Sequence, residues 1–114
     1  MDTTPIRARL MARREDLARL EATASEAAKT VELDQARVGR LSRMDALQGQ
    51  AMAQETLRRQ QLEQVRIDAA LRRLDDGSYG ECLECGEPIA DGRLGADPTA
   101  THCLACAEAA ERRS

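Results

Sequence analysis

From residue 6 onward apolar side chains return at alternating steps of three and four: Ile6, Leu10, Leu17, Leu20, Ala24, Ala27, Val31, Val38 and Leu41. Arg13 and Asp34 occupy the two stripe positions that interrupt the series. A stripe sustained over so many turns predicts a coiled-coil helix rather than the helix of a globule. Its start is marked by "TTPIRARL", where Thr3 or Thr4 can cap the free amides and Pro5 suits the first turn, in which its missing N–H costs nothing. Gly39 is the natural stop, since glycine tolerates the left-handed conformation that ends helices.

A second start follows at "SRMD", with Ser42 as N-cap and Asp45 at the third helical position, a variant of the capping box. This helix is predicted from about Arg43 to Leu74, ending before the turn signal "DDGSYG". Its seam is less regular, with Leu47, Ala51, Leu57, Leu62, Val65, Ala69, Leu71 and Leu74 as the apolar candidates. Arms of about 30 residues are each roughly 50 Å long, at about 1.5 Å per residue. Equal arms joined by a connection of about four residues fold back antiparallel. Residues 1–76 therefore read as a long antiparallel coiled-coil hairpin with its tip near 38–46. Ala24, Ala27, Gln50, Ala51 and Gln54 lie in the half nearer the tip and bury little area, so that half is expected to be thinner and more mobile than the base.

All four cysteines lie in the last third, as Cys82-Leu-Glu-Cys85 and Cys103-Leu-Ala-Cys106 separated by seventeen residues. Two CxxC pairs at this separation match a structural zinc site: each pair grips the metal from a tight turn, and the loop brings the second pair round to complete a tetrahedron. Gly86 supplies the backbone freedom that a turn of amides around thiolates needs. One Zn²⁺ held by Cys82, Cys85, Cys103 and Cys106 is coordinatively full, carries a formal charge of about -2, and folds a segment too short and polar to fold alone. Disulfides or a redox dithiol are the competing readings; a lone redox pair leaves the second pair unexplained. His102 reads as a surface residue or a donor to the ligand shell, not a ligand. A short helix is expected from the second turn onward, in "CLACAEAAERR".

Composition supports this all-α-dominated picture. The chain has no Phe, no Trp and one Tyr, Tyr79, so it lacks the aromatic burial that supplies much of an ordinary core. Residues 1–76 carry 14 Arg/Lys against 13 Asp/Glu, and residues 77–114 carry 3 against 7. The acidic C-terminal part argues against a DNA-docking finger, because phosphate contacts need Arg or Lys on the docking face. No segment approaches the roughly 20 apolar residues of a membrane span and the first residues lack a signal-peptide core, so the chain reads as cytoplasmic. One histidine, a closed metal site and no nucleophile with its base leave no catalytic constellation.

The run "LDDGSYGECLECGEPIADGRLGADPTATHCLACAEAAER" resembles the signature of the DksA/TraR family of bacterial transcription regulators. The agreement lies in Gly77, Tyr79-Gly80, Gly86, Ile89, Arg93-Leu94, Pro98 and the closing Cys103-Leu-Ala-Cys106. It covers about a third of the chain, and a long hairpin before such a finger is what DksA-like members have, so residues 77–114 are read as a finger of this type. The resemblance implies direct binding to RNA polymerase rather than promoter DNA. It implies a hairpin inserted in the secondary channel with its tip near the catalytic centre, and an effect on promoter complexes often exerted together with ppGpp. The tip pattern of DksA-like members is Asp-x-x-Asp-x-Ala. Here "SRMDAL" has Ser42 at the first aspartate, Asp45 at the second and Leu47 in place of the alanine, among Arg37, Arg40 and Arg43. Arg40, Ser42, Arg43 and Asp45 are the candidate polymerase contacts, although Ser42 and Asp45 can equally serve as helix caps. The chain is read as a monomer. The competing functions are an adaptor using the basic tip, such as an antagonist of a true DksA, and a thiol or zinc sensor.

Overall fold

The computed structural model describes residues 2–35 and 40–113, and side chains at 2–27 and 43–113. Residues 36–39, with the expected helix stop at Gly39, lie outside the described residues. Four helices follow in order, α1 (Thr4–Gln35), α2 (Arg40–Asp76), α3 (Asp91–Ala96) and α4 (Leu104–Arg113). Among the described residues the only β pairing is an isolated antiparallel bridge between Glu81 and Pro88.

The ends of the long helices differ from expectation. At the start of α1 the Asp2 carboxylate, not a threonine hydroxyl, accepts the Thr4 amide at 3.0 Å. That hydrogen bond holds the Asp2 carboxyl below its ordinary range. Arg40, Leu41 and Ser42 are all helical in α2, so Ser42 lies within the helix rather than at its cap. Asp45 therefore does not close a capping box. At the other end α2 runs two residues past Leu74 and closes with Gly77 at φ 83°. The Ser78 amide returns to the Arg73 carbonyl at 3.0 Å, the hydrogen bond of a Schellman motif.

By packing, the chain divides into two compact units, Met1–Met11 with Arg66–Ser114, and Ala12–Val65. In the first, α1 and α2 run antiparallel, with Arg7 and Asp75 paired at 2.9 Å. Leu10, Ile67, Ala70 and Leu71 are buried there. The Arg9 guanidinium donates to the Gly95 carbonyl at 2.6 Å, tying the start of α1 to α3. A separate small core lies in the finger: Cys82, Ile89, Leu94 and Ala100, with Tyr79, Cys103 and Cys106 packed against it.

In the second unit the helices are again antiparallel, and the Arg13 guanidinium forks onto the Glu63 carboxylate at 2.6 and 2.9 Å. Arg13 thus fills a seam position with an ion pair instead of an apolar contact, and the hydrogen bond to Glu63 raises its already high pKa. Leu17 is the one fully buried side chain among the described residues of this unit. Four of the expected seam residues of α2 are not in the seam: Leu47, Ala51, Leu62 and Val65 are exposed. The inward stripe runs instead through Leu57, Gln60, Gln64, Ile67, Leu71 and Leu74, all at least half-buried and spaced by three and four. Gln60 and Gln64 occupy positions where a hydrophobic residue is the rule, which hides the phase of the helix.

Candidate metal centre

The finger begins where α2 ends. After Gly77 the chain forms a narrow loop: the Cys82 amide donates to the Glu87 carbonyl at 2.8 Å, and the Ile89 amide to the Gly80 carbonyl at 2.7 Å. The Gly86 amide closes the turn onto the Cys82 carbonyl at 2.9 Å, with Gly86 at φ 76°. This left-handed turn wraps amides around the Cys82 sulfur. The second cysteine pair is brought to the first by the Leu83 amide, which donates to the Thr101 carbonyl at 2.9 Å. Arg93 of α3 donates to the His102 carbonyl at 2.9 Å, immediately before Cys103. From there the Ala107 amide returns to the Cys103 carbonyl at 3.0 Å and opens α4.

These elements bring the four cysteine sulfurs within 4.8 Å of one another. An ion about 2.3 Å from each of four tetrahedral sulfurs spaces them about 3.8 Å apart. Cys85 Sγ and Cys103 Sγ stand 3.8 Å apart. Four thiolates with this spacing fit one structural zinc ion and leave no open coordination position. Cys82 is buried, Cys103 and Cys106 half-buried and Cys85 exposed.

The electrostatics point the same way. Backbone N–H groups of Cys85 and then Cys103 donate to the Cys82 sulfur and pull its pKa down to about 6. Cys106 is pushed up, chiefly by sharing a proton with Cys103 and next with Cys85. Four sulfurs this close cannot all ionise without a cation between them, and a divalent metal supplies that charge.

His102 is not part of the cluster; its Nδ1 lies 2.8 Å from the Thr101 hydroxyl. Two supporting residues have roles that spacing alone does not reveal. Arg93 holds the carbonyl before Cys103, and Tyr79 donates its hydroxyl to the Pro98 carbonyl at 2.8 Å, spanning the loop between the cysteine pairs. Of the candidate tip residues, Arg43 and Asp45 are exposed on α2. The Arg40 and Ser42 side chains lie outside the described residues. No helix among the described residues is long and apolar enough to cross a membrane.

Comparison with known proteins agrees with this geometry. Residues 77–112 match the prokaryotic dksA/traR C4-type zinc finger. A 48-residue segment is 58% identical to the RNA polymerase-binding transcription factor DksA of Caulobacter vibrioides, covering 42% of this chain and 34% of that protein. The corresponding identity is 46% for DksA of Haemophilus influenzae, over 42% of this chain and 33% of that protein. The matches thus span about a third of the length of the curated relatives. The structure of transcription factor DksA2 from Pseudomonas aeruginosa superposes with a TM-score of 0.77 at 30% identity, over 95% of this chain and 81% of that one.

Proposed function

The chain belongs to the DksA/TraR family, and from that premise we propose that it is a transcription regulator acting by direct contact with RNA polymerase. The fold match to DksA2 over 95% of the chain carries this reading, because it extends through both long helices as well as the finger. The names of the curated relatives, RNA polymerase-binding transcription factors, supply the partner. In this reading residues 77–114 are the zinc-stabilised finger and residues 1–76 the hairpin that enters the secondary channel. Arg40, Ser42, Arg43 and Asp45 meet the polymerase there and alter promoter-complex lifetime, with ppGpp as a co-effector. A closed four-thiolate zinc site suits a structural part and not a reaction centre.

The test is binding of the zinc-loaded protein to cognate RNA polymerase, with promoter-complex lifetime read in the same reactions, with and without ppGpp. Wild type is compared with Asp45→Ala and with Arg40→Ala/Arg43→Ala. Binding by all three with a lifetime shift only for wild type supports the tip as effector. Absence of binding by wild type rejects the polymerase as partner.

A further inference from the structure

Each cysteine pair places a leucine directly after its first ligand, Leu83 after Cys82 and Leu104 after Cys103. Both are exposed, at 63% and 58%. A finger whose core holds only four buried residues leaves two large aliphatic side chains in water. They lie on adjoining turns, since the Cys103 amide donates to the Cys82 sulfur and the Leu83 amide to the Thr101 carbonyl. α4 also returns to the first turn through the Arg113–Glu84 ion pair at 3.2 Å. Glu108 stands four residues, one helical turn, beyond Leu104.

The surroundings are acidic. All seven carboxylates of residues 77–114 are exposed, against three arginines, and a dication held by four thiolates adds a formal charge of about -2. A single exposed leucine is ordinary on a protein surface. Two on neighbouring turns amid carboxylates form an apolar contact with a charged rim, which selects a partner by complementary charge. The same negative field opposes nucleic acid and anionic lipid.

We propose that this face docks a basic amphipathic helix of another protein. Apolar side chains of that helix cover Leu83 and Leu104, and its Lys or Arg side chains lie over Glu84 and Glu108. The proposal goes beyond the polymerase reading and does not depend on it.

The probe is a helical peptide of about 16 residues with leucines and lysines segregated to opposite faces, compared with a scrambled isomer of identical composition. Binding to the zinc-loaded full chain is read by fluorescence anisotropy at low and high salt. Wild type is expected to prefer the amphipathic peptide about tenfold, the loss of two partly covered leucine contacts being ample for that factor. Leu83→Ser/Leu104→Ser, checked for unchanged zinc content, abolishes the preference, and Leu83→Ala/Leu104→Ala replaces it if zinc is lost. Glu84→Gln/Glu108→Gln weakens binding to both peptides and flattens the salt dependence. Leu62→Ser/Val65→Ser, altering exposed apolar residues of α2, leaves the preference intact. The proposal is overturned if the zinc-loaded leucine variant keeps the preference, if the α2 variant loses it equally, or if anionic vesicles bind in place of the peptide.

Discussion

Replacing Leu94 by alanine measures how far the metal and the small core of the finger depend on each other. Leu94 is 1% exposed and packs with Cys82, Ile89 and Ala100, so one of its neighbours is itself a metal ligand. The substitution removes three carbons, about 2.4 kcal/mol at about 0.8 kcal/mol per methylene. A residual cavity adds to this, and Leu→Ala in cores costs about 2–5 kcal/mol. With only three buried residues around it the site can partly collapse, which selects the lower part of that range, about 3 kcal/mol. Where folding and metal binding are one equilibrium, this loss appears in the zinc affinity, and about 1.4 kcal/mol per factor of ten gives about a hundredfold weakening. Competition with a chromophoric chelator measures it, with circular dichroism following the helices in the same samples. Leu83→Ala, at an exposed position beside the same ligand, is the control and should change the affinity less than about threefold. A Leu94→Ala protein holding zinc within about threefold of wild type would refute the coupling, because the core would then be dispensable to the site.

Gly86→Ala meets no atom within 4 Å of its new Cβ, so its cost is backbone strain at φ +76° alone, about 1 kcal/mol, read as roughly fivefold weaker zinc binding in the chelator assay. Tyr79→Phe removes the hydrogen bond to the Pro98 carbonyl and is expected to lower finger stability by about 1 kcal/mol in denaturant titrations, with helix content unchanged. Zinc binding must expel the protons that Cys85 and Cys106 retain through their raised pKa values, whereas Cys82, at about 6, is largely a thiolate at neutral pH. Apparent zinc affinity should therefore fall as pH drops from about 8 to 6, and calorimetry in buffers of different ionisation enthalpy should find at least two protons released per zinc; pH-independent affinity would contradict the assignment.

The metal site was legible because two short spacings and one loop length nearly determine it. Four thiols confined to tight turns have few other ways to satisfy their chemistry. The stripe of α1 was readable at its start, where Leu10 and Leu17 are buried and Ile6 half-buried, but not beyond, since Leu20 and Ala27, at the same spacing, are exposed. α2 was harder, because Gln60 and Gln64 hold seam positions while Leu62 and Val65 face water, so apolarity alone selects the wrong rotation of the helix. Ile67 and Ala70, both buried, belong to the phase that this choice obscures. The start of α2 was misplaced because Ser42 and Asp45 have the spacing of a cap. Arg40 and Leu41, both good helix formers, are helical before Ser42 regardless. α3 escaped notice because six residues around Gly92 and Gly95 have no periodicity to read; the burial of Leu94 and the bonds from Arg9 and Arg93 anchor it.

The unit carrying the metal is assembled from distant stretches of chain, Met1–Met11 and Arg66–Ser114. On the ribosome the first of these emerges long before the second, and Arg9 is translated 86 residues ahead of the Gly95 carbonyl that receives it. At about 5–20 residues per second that interval is roughly 4–17 s. Ile67 and Leu71, buried in the same unit, follow Leu10 by 57 and 61 residues, roughly 3–12 s at that rate, and until then the nascent segment is a candidate for chaperone attention. Zinc capture needs Cys106, so the metal site closes only after 97 further residues have followed Arg9 out of the ribosome.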